Sequence, residues 1–283
     1  IAKRRAMKMN PVRLLCLLFC LLSLSAAAAD PKPLRVGVAP HTSSRVILEM
    51  YQPLRVHLEK ALGVPVQIIT APDFTEYARR ALDQEYDLAI TTGHQAQLLK
   101  TDAAYVPLLT YKAPFRAVIV VARDGKIAAG RDLAGAQVVG LGPSSLVTIW
   151  GLHWMRDNGA PDVVVRYVSA ADSVAQLILN GDVLAGTVSL ANFQVLAPDV
   201  QSQLRFLAES PALAGRVYML NASESGRAAA IQTALWSFAE SPAGKEYFAK
   251  YKVDGYRKLA PGELDVMAPY AAEVKLQLKK QAK

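Results

Sequence analysis

The region 34–92 alternates between two hydrophobic periods, and this alternation limits the folds open to the chain. Leu34, Val36 and Val38 alternate with Arg35 and Gly37, which predicts a strand. A 3.6-residue period follows and predicts a helix. The predicted elements are a strand at 34–38, a helix at 47–62, a strand at 64–70, a helix at 73–82 and a strand at 86–92. This order, with short links, predicts a parallel sheet with helices on its faces.

A second unit of the same kind begins after 122. Extended segments are predicted at 105–111, 116–122, 204–207 and 216–220, strands at 137–141, 163–168 and 184–190, and helices at 144–157 and 172–180. The chain then ends in helices at 224–240, 243–251 and 263–280, with no strand predicted between them. We therefore expect a two-lobed α/β protein with a crevice between its lobes. Lobe 1 begins with 30–112, lobe 2 is 113–208, and 209–283 returns to pack its helices on lobe 1.

The first 29 residues have the parts of a secretory signal peptide. Five cations stand without an acid, the apolar run 14–24 follows, and small residues lead to Ala29, after which we expect cleavage. Both cysteines, Cys16 and Cys20, lie in this leader, so a periplasmic product would have no thiol. Removing the leader from the 32 basic residues leaves 27 against 24 acidic ones, which argues against nucleic-acid binding.

The start of the predicted helix 144–157 is the most informative local feature. In open α/β sheets, ligands bind at the loops after the strands, and a helix N-terminus there offers free N–H groups to an anion. We expect the N–H groups of Ser145 and Leu146 and the hydroxyls of Ser144, Ser145 and Thr148 to hold a small anion, with no arginine required. The alternative is an ordinary helix cap.

Other polar residues are predicted to border the same crevice, either on its loops or near the ends of neighbouring elements. Tyr51, His94 and Tyr111 are expected to face the anion, and His41 and Thr92 lie on neighbouring loops. For His41 and His94, a solvated loop position is the alternative to a ligand contact. The four histidines are scattered and the sequence has no metal-binding motif, so neither a metal nor another cofactor is expected.

Several short segments, in this order, resemble the phosphate/phosphite/phosphonate-type extracytoplasmic solute-binding proteins, which have the type II periplasmic binding fold. The segments are 34–40 (LRVGVAP), 51–54 (YQPL), 86–89 (YDLA), 132–135 (DLAG), the helix start at Ser144, 180–183 (NGDV) and 185–186 (AG). The resemblance covers nearly all of the chain after the leader. It implies a binding component of an ABC importer, with no catalysis, that captures a small anionic solute.

Two departures from that family bear on the ligand. Phosphonate binders of the family carry an Asp where this sequence has Leu184, and a His/Glu pair near Ala171 and Asp172, where no His is present. An acid that accepts a proton from the ligand is therefore missing or supplied elsewhere. We expect fully ionised oxyanions, less basic ones or ligands with an apolar portion to be preferred over protonated phosphonates.

Alternatives remain for the partner and for the class of function. The partner is an ABC permease or, if the protein is a ligand sensor, a membrane kinase, and the protein is expected to be a monomer. The alternative from another class is an exported hydrolase that uses Ser144 or Ser145 with a histidine, although no triad spacing supports it.

Overall fold

The computed structural model describes residues 31–169 and 171–281, which form two β-sheets with helices on their faces. The predicted signal peptide at 1–29 lies outside the described residues. Within the described residues, no helix has the length and apolar character needed to cross a membrane.

Within the described residues, eleven strands form the two sheets. They are β1 (Leu34–Val38), β2 (Val66–Ile69), β3 (Leu88–Thr92), β4 (Tyr105–Tyr111), β5 (Ala117–Ala122), β6 (Gln137–Gly140), β7 (Val164–Tyr167), β8 (Ala185–Ser189), β9 (Leu204–Glu209), β10 (Arg216–Asn221) and β11 (Tyr256–Arg257).

The α-helices that pack on these strands follow in chain order. They are α1 (Ser44–Leu62), α2 (Phe74–Leu82), α3 (Gly93–Asp102), α4 (Leu146–Asp157), α5 (Ala171–Leu179), α6 (Leu190–Gln194), α7 (Pro198–Ser202), α8 (Ala228–Glu240), α9 (Pro242–Tyr251) and α10 (Ala268–Gln281).

The first sheet has the strand order β11-β4-β10-β3-β1-β2. Strand β1 pairs in parallel with β2 and β3, as the alternating strand and helix pattern predicts. Strand β10 lies antiparallel between β3 and β4, so its first residue, Arg216, is opposite Thr92 at the carboxyl end of β3. This antiparallel insertion brings a late segment of the chain to the edge of the sheet where ligands bind in α/β folds.

The second sheet has the order β7-β6-β8-β5-β9, with β6 parallel to β7 and β8 and with β5 antiparallel to β8 and β9. The chain passes between the sheets twice, from β4 to β5 and from β9 to β10. The two connections pair through an isolated antiparallel bridge between Phe115 and Leu213. Side chains such as Val118 and Ile119 are fully buried beneath the helices on opposite faces of this sheet. The two-lobed α/β fold is confirmed.

Local signals in the sequence explain two of the helices. Asp73 accepts hydrogen bonds from the N–H groups of Thr75 and Glu76 at 2.8 and 2.9 Å, and these bonds cap the start of α2. Helix α1 ends at Gly63, whose φ of 66° is a left-handed conformation that favours glycine. Helix α1 is continuous through Pro53, where the sequence allowed a break.

The structure corrects two predictions about helices. The segment 91–94 was expected to be a loop, but Thr92 is the N-cap of α3 and His94 lies in its first turn. The residues from Gly93 to Leu99 are all buried, so this part of the helix has no exposed face that would give a helical period in the sequence. The C-terminal helices were expected without an intervening strand, yet β11 lies between α9 and α10 and pairs with β4.

The last helix, α10, packs on α2, α3 and α4. Ala271 and Val274 of α10 share a buried cluster with Ala78 of α2, Leu98 of α3 and Ile149 of α4. Helix α4 belongs to the half of the molecule built on the second sheet, and α2 and α3 to the half built on the first. Helix α10 therefore contacts both halves.

Candidate ligand site

A cavity of about 40 Å³ lies between the two sheets. At roughly 10–15 Å³ for each water-sized probe, it has space for about three water molecules or a similarly small polar group. Its lining comprises His41, Phe74, Thr92 and Arg216 from the first half of the fold, Leu141, Ser145, Leu146, Val147, Ser189 and Asn192 from the second, and Phe115 from a crossover connection. Among the described residues, the lining contains no Asp or Glu.

Helix α4 begins at this cavity with Leu146, whereas the sequence predicted a helix from 144. The N-cap is Ser145, and its side chain makes no capping hydrogen bond. The N–H of Ser145, which was expected to donate to the anion, donates to the carbonyl of Gly142 at 3.2 Å. The N–H groups in the first turn of a helix have no partner within it, and those of Leu146 and Val147 belong to residues that line the cavity. These two N–H groups replace that of Ser145 as candidate donors.

Two of the three predicted hydroxyls have partners within the protein. The hydroxyl of Ser144 is 2.8 Å from that of Thr75 in α2, and the hydroxyl of Thr148 accepts a hydrogen bond from the N–H of Leu141 at 2.9 Å. Ser144 and Thr148 are fully buried and do not line the cavity. Of the three residues, only Ser145 combines a place on the lining with a hydroxyl that caps nothing.

His94 connects the start of α3 to the loop before α4. Its Nε2 lies 3.0 Å from the carbonyl oxygen of Ser144, and its Nδ1 lies 3.1 Å from the hydroxyl of Thr92. A carbonyl can only accept, so Nε2 carries the proton and Nδ1 accepts from Thr92. Burial lowers the pKa of His94 to about 4, so the ring is neutral near pH 7. His94 thus holds the α4 loop in place, and it does not line the cavity.

Tyr51 and Tyr111 belong to a cluster of tyrosines behind the cavity. The hydroxyl of Tyr111 lies 2.9 Å from that of Tyr218 and 2.7 Å from that of Tyr247. Burial raises the pKa of Tyr111 well above its ordinary value, so it is neutral. Tyr51 is fully buried, and its hydroxyl finds no hydrogen-bond partner among the described residues. Neither tyrosine lines the cavity.

Arg216 lines the cavity and was not predicted as a site residue. The residue is partly buried. The phenol groups of Tyr51, Tyr111 and Tyr247 lie close enough to interact electrostatically with its guanidinium. Among the described residues, no ion pair or hydrogen bond of its guanidinium is found. The sequence offers no signal for it, because its position depends on β10 lying antiparallel beside β3.

His41 lines the cavity beside Arg216. Its ring is 6.3 Å from that of Tyr51 in an edge-to-face arrangement. Burial and the positive charge of Arg216 hold the pKa of His41 well below its ordinary value, so the ring is neutral. Thr92 also lines the cavity, at the N-cap of α3. Ser145, His41 and Thr92 are thus the predicted residues that the fold brings together at the cavity.

Comparison with known families identifies the group to which this chain is related. The family described as "ABC transporter, phosphonate, periplasmic substrate-binding protein" matches residues 36–263. The chain belongs to this family.

Solved structures of other periplasmic binding proteins share the fold of this family member. PhnD1 from Prochlorococcus marinus in complex with methylphosphonate aligns with a TM-score of 0.75 and 15% identity, over 88% of this chain and 100% of that one. XAC2383 from Xanthomonas citri bound to chloride ion gives 0.73 and 17%, over 87% and 99%. The binding protein component of an ABC phosphonate transporter (PA3383) from Pseudomonas aeruginosa gives 0.65 and 14%, over 90% and 100%.

Membership in the phosphonate ABC transporter family has direct consequences for the function. Its members are periplasmic substrate-binding proteins, so this chain binds a small molecule for a permease and is not an enzyme. The hydrolase alternative also lacks geometric support at Ser144. The hydroxyl of Ser144 faces Thr75, and His94 contacts only the carbonyl of Ser144.

Leu184, one of the positions at which this sequence differs from the phosphonate binders, lies away from the cavity. Leu184 is 46% exposed and precedes β8, whereas Ser189, at the other end of that strand, lines the cavity. Leu184 therefore does not line this cavity, and the expectation about ligand preference that was based on it stays a prediction.

Proposed function

We propose that this phosphonate-family protein captures a small anionic solute in the cavity between its two sheets and delivers it to an ABC permease from the periplasm. The observation that carries the proposal is Arg216, a guanidinium at the cavity wall for which the described residues supply no carboxylate partner. A partly buried cation without a counter-charge is costly, and an anionic ligand would offset that cost.

The opposite wall of the cavity supports the same ligand charge. The first-turn N–H groups of Leu146 and Val147 and the hydroxyl of Ser145 lie at the positive end of the α4 dipole. The lining residues that the structure describes include no carboxylate, so none of them would repel an anion or neutralise a cationic group on the ligand. The volume of about 40 Å³ favours a compact solute.

Calorimetric titration tests the proposal. The purified protein, processed at its leader, is titrated at low ionic strength with inorganic phosphate, methylphosphonate, methanesulfonate and acetate, and at least one should bind. Arg216→Gln should weaken that binding by about 30-fold or more, because removing one partner of a buried charge pair costs several kcal/mol.

The matched control is Arg45→Gln, which removes an arginine whose side chain is 89% exposed. It should leave the affinity unchanged. Equal affinities for wild type, Arg216→Gln and Arg45→Gln would show that Arg216 does not hold the ligand. A folded wild type that binds none of the four anions would refute the proposed function.

A further inference from the structure

The hydrogen bonding of His41 fixes which of its ring nitrogens can accept. Its Nδ1 lies 2.9 Å from the carbonyl oxygen of Ala39. A carbonyl oxygen has no proton to give, so Nδ1 must carry the proton and donate. The ring is neutral, because burial and the nearby charge of Arg216 disfavour the imidazolium. The second nitrogen, Nε2, is therefore left with a lone pair and can only accept a hydrogen bond.

This accepting nitrogen is unused within the protein. The Nε2 of His41 is buried, and the described part of the chain gives it no hydrogen-bond partner. Nearly all buried polar atoms in folded proteins have a partner, and each exception needs an explanation. Because His41 lines the cavity, a donor on the ligand supplies one.

The residue beside His41 has the opposite hydrogen-bonding character. Arg216 is a permanent cation whose five N–H groups can only donate. The other titratable acceptors that could receive a ligand proton, Asp and Glu, are absent from the described residues of the lining. One wall of the cavity therefore presents a fixed positive donor and a neutral acceptor next to each other.

We infer that His41 is a specificity-determining residue: with Arg216, it selects an oxyacid ligand that carries both a negative charge and an acidic proton. A singly protonated phosphonate or phosphate has both, since one oxygen accepts from Arg216 and the P–OH donates to Nε2 of His41. A sulfonate or a carboxylate anion has the charge but no proton, and it leaves Nε2 unpaired. This inference rests on the proposed function. It reverses the preference for fully ionised oxyanions that was expected from Leu184, and it names His41 as the acceptor of the ligand proton.

The test compares two probes of similar shape, methylphosphonate and methanesulfonate. Titrations are made near pH 5.5, about half a unit below the second pKa of a phosphate group near 6, where the phosphonate still carries its acidic proton. The wild type should bind methylphosphonate more tightly than methanesulfonate by roughly 10- to 100-fold, which is the effect of one hydrogen bond in a charged pair.

The variant His41→Phe removes the acceptor and keeps an aromatic ring against Tyr51. It should lose the same 10- to 100-fold in affinity for methylphosphonate while its affinity for methanesulfonate stays within about threefold. His57→Phe, which removes a histidine of α1 that bonds to Ser237 away from the cavity, should leave both affinities unchanged. Thermal melting confirms that each variant is folded.

The outcomes separate this inference from the proposed function. Equal wild-type affinities for the two probes, or an unchanged preference in a folded His41→Phe, would overturn the role of His41 and leave the anion-binding function standing. Binding of neither probe by the folded wild type would overturn both. If His41→Phe fails to fold, His41→Gln is used instead. Its amide oxygen can accept, and it should retain part of the preference; loss of affinity for both probes alike would refute the selection.

Discussion

Acidification should destabilise this protein through His94 before most carboxylates are protonated. The ring of His94 is completely buried and neutral, and its pKa is lowered by burial from 6.5 to about 4. At a pH between these two pKa values, His94 is protonated in the unfolded chain and neutral in the folded chain. The contribution of neutral His94 to the free energy of unfolding is therefore fully present above pH 6.5 and is lost as the pH falls toward 4.

The size of the effect follows from the same pKa values. A shift of one unit corresponds to about 1.4 kcal/mol, and integration of the linkage relation gives a loss of about 2 kcal/mol between pH 7.5 and pH 5. The pKa of His41 is lowered in the same direction, so it adds to the loss in the wild type. At pH 5 most exposed carboxylates, with pKa values near 4, are still ionised and contribute little.

The variant His94→Gln isolates this contribution. A glutamine amide can still donate to the carbonyl of Ser144 but cannot be protonated. Urea unfolding of wild type and variant at pH 7.5 and pH 5 gives four free energies of unfolding. The wild type should lose about 2 kcal/mol more than the variant on acidification. His57→Gln serves as the control for the loss of a histidine. Equal losses in wild type and His94→Gln would refute the argument.

Further substitutions test which hydroxyls contribute to stability and which one contributes to ligand affinity. Ser145→Ala should change the free energy of unfolding by less than about 0.5 kcal/mol, because the Ser145 side chain caps nothing, but it should weaken methylphosphonate binding by roughly 10-fold or more. Thr148→Ala should lower the free energy of unfolding by about 1–2 kcal/mol in urea, because it leaves the N–H of Leu141 without its acceptor. Thr75→Val should cost about 1–2 kcal/mol by leaving the buried hydroxyl of Ser144 without its partner, and adding Ser144→Ala should recover part of that loss; strictly additive costs would show that the two hydroxyls are not coupled.

The fold was predictable from the sequence where a single face of an element is buried. Strand alternation at Leu34, Val36 and Val38, the cap at Asp73 and the stop at Gly63 each give a pattern that local physics requires. Helix α3 was missed for the opposite reason. Its residues from Gly93 to Leu99 are all buried, and helical periodicity arises only where one face meets water.

The site was predictable only in its general location. The rule that ligands bind beyond the carboxyl ends of the strands led to Ser145, His41 and Thr92, which do line the cavity. Arg216 could not be found in this way, since it begins an antiparallel strand and no sequence pattern states which parallel strand that segment joins. Parallel strands reveal their order through crossover helices, whereas an inserted antiparallel strand does not.

Residue type alone could not separate the residues that build the site from those that face the ligand. Ser144, Thr148 and His94 have the same donor and acceptor groups as Ser145 and His41, and they lie within the same few loops. The difference lies in whether those groups are already paired. A hydroxyl or ring nitrogen bonded to the protein fixes the shape of the cavity, so its loss should appear first in stability. An unpaired group at the wall has no bond within the protein to lose and is open to water or to a ligand, so its loss should appear first in affinity. By that criterion we propose that Ser145, His41 and Arg216 contact the ligand and that Ser144, Thr148 and His94 hold these residues in place.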